Sequence, residues 1–130
     1  MKYLGSRTIE TNRLILRKTE EQDLKQLWEI LLLEEVSKYY LTTKINQNWE
    51  DEKKWQYKKL ERAGDNDVFC WTITIKETKE VIGQISVQEL KEPQENIRDI
   101  GWFLHPDYQK KGYAKEAARE VLKYMFLHFF

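Results

Sequence analysis

The sequence predicts an α+β domain, and three observations predict it. Val68–Ile75 alternates Phe69, Trp71, Ile73 and Ile75 against Cys70, Thr72 and Thr74. Across the polar turn Lys76–Glu80 it meets a second strand, Val81–Leu90, and the two should pair as an antiparallel hairpin. A third stretch, Ile97–Leu104, is rich in β-branched and aromatic residues and stops where Pro106 biases His105 to an extended conformation. Beyond it, Ala114, Ala118, Val121, Leu122, Met125 and Phe129 recur at helical spacing.

The earlier part of the chain supplies the remaining elements. Residues 8–18 contain a short strand with Leu14 and Leu16 on one side and Arg13, Ile15 and Arg17 on the other. Thr19-Glu20-Glu21-Gln22 matches a capping box. The helix it opens carries Leu24, Leu27, Trp28 and Leu31 on one face and should end near Glu35. Ser37–Asn48 has no clear period and reads as a loop. Asn48 can cap a second helix, Asp51 suits its first turn, and Gly64 suits its end. Trp55, Tyr57, Leu60 and Ala63 form no single stripe there, and the charges between Glu50 and Lys59 read as a solvated face. The order is strand, helix, helix, strand, strand, strand, helix. No repeat, low-complexity segment or linker interrupts it, so residues 1–130 form a single domain.

Composition narrows the function classes. Lys+Arg and Asp+Glu both number 22, so the net charge is zero and the chain lacks the basic excess of a general nucleic-acid binder. No apolar run is long enough to span a bilayer, and Met1-Lys2-Tyr3-Leu4-Gly5 has no signal-peptide character, so neither membrane insertion nor export is expected. Cys70 is the single cysteine, which points to a reducing, cytoplasmic setting. Two histidines and one cysteine supply too few nitrogen and sulfur ligands for a zinc site, and no metal is expected.

The stretch from Ile97 to Ala118 organises the chain. Gly112 lets backbone approach a ligand, and successive N–H groups at the following helix start make an anion site. A plain connection without ligand is the alternative for this loop. Gln109-x-x-Gly112-x-Ala114 resembles the Gln/Arg-x-x-Gly-x-Gly/Ala loop of the GNAT superfamily of acyl-CoA-dependent N-acyltransferases. The strand Asp99-Ile100-Gly101-Trp102-Phe103-Leu104, the Pro106-Asp107-Tyr108 after it and the Glu116-Ala117 beyond the loop resemble that family too. Glu10-Thr11-Asn12-Arg13-Leu14-Ile15-Leu16-Arg17 resembles the opening strand of the branch that includes ribosomal-protein N-terminal acetyltransferases; any amphipathic first strand would also fit.

The resemblance implies an α/β/α sandwich with a mixed, mostly antiparallel sheet. It also implies an acetyl-CoA-dependent N-acetyltransferase, in which a primary amine attacks the thioester directly in a ternary complex. The diphosphate would sit on backbone N–H groups between Gln109 and Ala114, with Lys110 and Lys111 either adding charge attraction or merely solvated, and Tyr113 packing beside Gly112. The pantetheine arm would run along Trp102–His105, including Phe103 and Leu104, and a backbone N–H near Leu104 would hold the thioester carbonyl. Asp99 aligns with the Glu that several members use as general base. It is one methylene shorter and would work through a water; the other reading is a strand-edge Asp paired with Arg98 or a lysine. It lies about 17 Å from Leu104 at ~3.3 Å per residue. Tyr39, Tyr40 and Trp49 would line the acceptor side, or else pack as core or lid.

In that family the fold continues with a strand, a helix and two further strands, so the resemblance covers about the N-terminal two-thirds of the usual domain. An exposed sheet edge beside Ile97–Leu104 and the apolar Phe126-Leu127-His128-Phe129-Phe130 predict a homodimer or higher oligomer. The alternative function is a catalytically incomplete module that binds CoA or dimerises without turnover.

Overall fold

The alternating stretch at 68–75 forms the central strand of an antiparallel sheet in the computed structural model of the chain. The structure describes residues 6–38, 46–62, 68–92 and 95–129, except for the side chains at 59–62, 68, 88–92, 95–99 and 128–129. Among the described residues the sheet has five strands in sequence order: β1 (Ile9–Glu10), β2 (Leu14–Lys18), β3 (Val68–Ile75), β4 (Val81–Glu92) and β5 (Glu95–Leu104). Each pairs antiparallel with the next. The sequence predicted β2 to β5 but not β1, which is too short to show a period. β3, β4 and β5 are the strands already read from alternation and β-branched content, with β4 and β5 each running further into the polar stretch between them.

Both faces of the sheet are covered. On one, α4 (Tyr113–Phe129) brings Ala117, Val121 and Met125 against Leu14, Leu16, Phe69, Trp71, Ile73 and Leu104. On the other, α1 (Leu24–Leu32) and α2 (Glu34–Ser37) bring Leu27, Ile30 and Val36 against Phe103. Each fully buried Leu, Ile or Phe contributes roughly 1.5–3 kcal/mol. Two-sided burial explains why Thr72 and Thr74 are as buried as the apolar residues between them. Between Ile73 and Thr74 the register with β4 shifts by one residue, and the extra residue turns Ile82 into the same core as Ile85.

Several expectations change. The first helix ends at Leu32, not near Glu35: Leu33 is extended (ψ 130°), and the short turn of α2 then carries Val36 inward. Ile30, more than Leu31, faces the core. The cap moves one residue on, because the Asp23 carboxylate accepts the Glu20 N–H at 2.9 Å. On α4 the buried stripe is Ala117–Val121–Met125, whereas Leu122, about 100° round the helix from Val121, is exposed. The second helix, α3 (Trp49–Arg62), is capped by Asn48, whose Oδ1 accepts the Glu50 N–H at 2.8 Å. Its charges are not all solvated: Glu52 is buried and accepts from Asn46 Nδ2 at 3.2 Å and from Gln56 Nε2, bonds that offset its desolvation. Gly64 lies outside the described residues, as does the Phe129 side chain. No described helix is long and apolar enough to cross a membrane.

Candidate functional site

Among the described residues β5 is an edge strand, and its hydrogen-bond parity decides what that edge offers. His105 N–H donates to the Ile82 carbonyl at 2.7 Å, and the register pairs Phe103 with Gln84 and Leu104 with Gly83. In an antiparallel ladder bonded and non-bonded pairs alternate. Phe103 therefore exchanges bonds with β4, while the N–H and C=O groups of Leu104 and Trp102 face outward. The Gln109 side chain supports this parity independently, since its Nε2 donates to the Leu104 carbonyl at 2.9 Å. That bond also folds the loop back onto the strand that precedes it.

Between strand and helix the chain makes a 3-10 turn, Pro106–Tyr108, with His105 Nδ1 accepting the Asp107 N–H. Lys110 (φ 61°) and Gly112 (φ 84°) then adopt left-handed backbone, and α4 begins at Tyr113. The need for glycine at 112 is first of all this dihedral. A Cβ at this position would also point at the Arg13 guanidinium, 3.3 Å from Nη2.

Strand end, loop and helix start enclose a crevice of about 420 Å³. Of the residues expected to bind cofactor, Phe103, Leu104, Gln109, Lys110, Gly112, Tyr113 and Ala114 line it. Lys111 does not: its carbonyl accepts from Arg13 Nη1 at 3.1 Å, and its Nζ lies 5.9 Å from the centre of the Tyr108 ring. Trp102 and Lys115 also line the crevice, and α2 closes it with Glu35 and Val36. The α2 contribution was invisible in the sequence because it depends on the break at Leu33.

A second set of residues supports the loop from outside. Arg13 Nε pairs with Glu116 Oε1 at 2.8 Å, and its guanidinium lies 4.2 Å over the Tyr113 ring. Glu116 Oε2 also accepts the Arg13 N–H at 2.9 Å and the Thr11 hydroxyl at 2.5 Å. Burial pushes the Glu116 carboxyl up, but the Thr11 and Arg13 bonds outweigh it and hold the group below its ordinary value. In the sequence Arg13 shows only as one face of the first strand. Its likeness to a family motif was the one signal available.

The other candidates lie elsewhere. Asp99 is on β5, opposite Gln88, and its side chain lies outside the described residues. Tyr39 and Tyr40 lie outside them altogether. Trp49 packs against Trp28, ring centres 5.4 Å apart, and lines a separate cavity with Glu20, Leu24 and Tyr57. The Tyr108 hydroxyl donates to the exposed Glu80 carboxylate, which raises its pKa.

A family model described as acetyltransferase (GNAT) domain matches residues 13–129. The chain is 33% identical over 118 residues to the uncharacterized N-acetyltransferase YnaD of Bacillus subtilis, covering 91% of this chain and 65% of that protein. It thus spans just under two-thirds of that relative's length. A GNAT-family acetyltransferase structure from Bacillus anthracis superposes with a TM-score of 0.70 at 28% identity, covering 92% of this chain and 66% of that one. A ribosomal L7/L12 alpha-N-protein acetyltransferase solved in complex with coenzyme A superposes with a TM-score of 0.70, covering 91% and 67%. At 18% identity that second likeness speaks to the fold alone.

Proposed function

The chain belongs to the GNAT acetyltransferase family, and from that premise we propose that the β5 crevice holds acetyl-CoA for transfer of its acetyl group to a primary amine. The observation that carries this reading is the outward parity of Trp102 and Leu104 running straight into the left-handed loop at Lys110–Gly112. A pantetheine arm is itself a chain of amides and fits such an edge as a strand partner does. The loop N–H groups and the start of α4 suit a diphosphate, and Lys110 and Lys115 add positive charge beside it. A protein of the same fold has been solved in complex with coenzyme A.

With the Leu104 carbonyl taken by Gln109, the outward N–H of Leu104 is the donor for a thioester oxygen, and that of Trp102 is left for another acceptor on the ligand. Such donors are fixed before the reaction begins, which is what makes them stabilise developing negative charge. The amine nitrogen attacks the carbonyl carbon, a C–N bond forms, and the C–S bond breaks with the electron pair leaving on sulfur. The proton released by nitrogen passes through water to Asp99. Asp99 is five residues from Leu104, about 17 Å along an extended strand, a gap that the bound amine and a chain of waters fill.

The acceptor is an amine, either a protein N-terminus as in the ribosomal-protein branch or a small molecule, and Tyr39, Tyr40 and Trp49 are its candidate contacts. The exposed Leu122 and Leu127 on α4 and the β5 edge favour an oligomer. A monomer by light scattering at working concentration contradicts that assembly. Calorimetric titration of acetyl-CoA tests the binding, and thiol release with a panel of amines tests turnover. Binding without thiol release would assign the chain to the non-catalytic module instead.

A further inference from the structure

We propose that Arg13 is a positioning residue for the anion loop, so that the first turn of the chain sets the affinity of the crevice for a diphosphate. The inference rests on reading the crevice as a CoA site. One guanidinium meets the second half of the loop and the first turn of α4. It donates to the Lys111 carbonyl at 3.1 Å, lies beside the Gly112 Cα, covers the Tyr113 ring at 4.2 Å and pairs with Glu116 at 2.8 Å. The backbone N–H of Arg13 and the hydroxyl of Thr11 complete the hold on Glu116.

Two physical needs meet here. Lys110 is a non-glycine residue in left-handed backbone, a conformation that persists only where its surroundings over-determine it. The bond from Arg13 to the next carbonyl contributes to that hold from the side away from the crevice lining. The second need is electrostatic. Glu116 is an anion in the first turn of the helix whose start is to receive another anion. Neutralised by Arg13, it braces the loop without repelling the ligand. The arrangement assigns opposite tasks to the cations around the loop: Lys110 and Lys115 face the ligand, and Arg13 shapes the backbone behind it.

The test compares a ligand with the diphosphate and one without it. CoA is titrated by calorimetry and pantetheine by NMR into the full chain and into Arg13→Lys, which keeps the charge but loses the planar fork. The expected result is a CoA affinity weakened about five- to twentyfold, with pantetheine affinity within about twofold of the parent. Unchanged CoA affinity, or equal losses for both ligands, overturns the proposal. Should Arg13→Lys fail to fold by circular dichroism, Glu116→Gln is measured alone with the same two outcomes. An unaltered chain that binds no CoA overturns the reading of the crevice itself, and that result is seen before any variant is made.

Discussion

The carboxamide of Gln109 donates to the carbonyl of Leu104 at 2.9 Å, closing the end of β5 onto the loop that follows it. The bond occupies an outward-facing acceptor at the strand's last residue and fixes where the loop departs. A glutamine at this position therefore has a geometric task, not only a place in a motif.

Removing that tie should loosen the loop without unfolding the domain. Gln109→Ala is expected to weaken CoA binding about three- to tenfold, the worth of one hydrogen bond, with little change in thermal midpoint. Calorimetry beside a thermal scan checks both parts, and an unaltered affinity would remove Gln109 from the account.

Asp99 is expected to act on protons and not on the cofactor. Asp99→Asn should lower turnover at neutral pH by about a hundredfold or more, the usual share of a general base, while leaving CoA affinity nearly unchanged. Steady-state rates paired with calorimetry distinguish the two effects. Equal loss of both, or no loss of rate, would return Asp99 to the role of a strand-edge residue.

How much was legible follows from which signals are local. Alternation at Phe69–Ile75 and the β-rich run to Leu104 gave β3 and β5, and the asparagine at 48 gave the cap of α3, because each depends on neighbours in sequence. The Gln109–Ala114 loop was legible for the same reason, and five of its six residues line one crevice together with Phe103 and Leu104 of β5. What stayed hidden was non-local. The pairing of Arg13 with Glu116 joins residues 103 apart, and only folding brings β2 to the start of α4. Glu35 and Val36 reach the crevice through a helix break at Leu33 that a run of leucines does not announce. Burial of Glu52 was masked by the charges around it, since its amide partners are recognisable only once Asn46 and Gln56 are in place.

A second ion pair, between residues six apart in sequence, predicts an acid response. Arg17 forks onto Asp23 with two bonds of 2.7 Å, and Thr72 adds a third donor. Burial pushes the Asp23 carboxyl up, but Arg17, the Glu20 N–H and Thr72 together hold it below its ordinary 3.8. A lowered folded value means stability that is present above 3.8 and lost as the pH falls through that lower value. Asp23→Asn should therefore cost about 2 kcal/mol at neutral pH, since it leaves Arg17 without its counter-ion. The gap from the parent should close in denaturant titrations as the pH drops below 3.8. A gap that stays constant with pH would contradict it.

Gly112 is expected to tolerate little. Valine at φ 84° is strained by roughly 1–3 kcal/mol and drives its Cβ toward the Arg13 guanidinium. Gly112→Val should reduce CoA affinity at least about tenfold, while a thermal scan shows a cooperative transition at lower temperature. Full affinity in this variant would mean that the loop backbone has no part in holding the ligand.

The most direct test is an NMR titration of the isotope-labelled chain with CoA, read at the backbone amides. The account predicts that the largest shifts fall on Trp102, Leu104 and the amides from Lys110 to Ala114, with the inward-bonded amide of Phe103 moving less. Shifts centred on another surface, or none at saturating CoA, would contradict it.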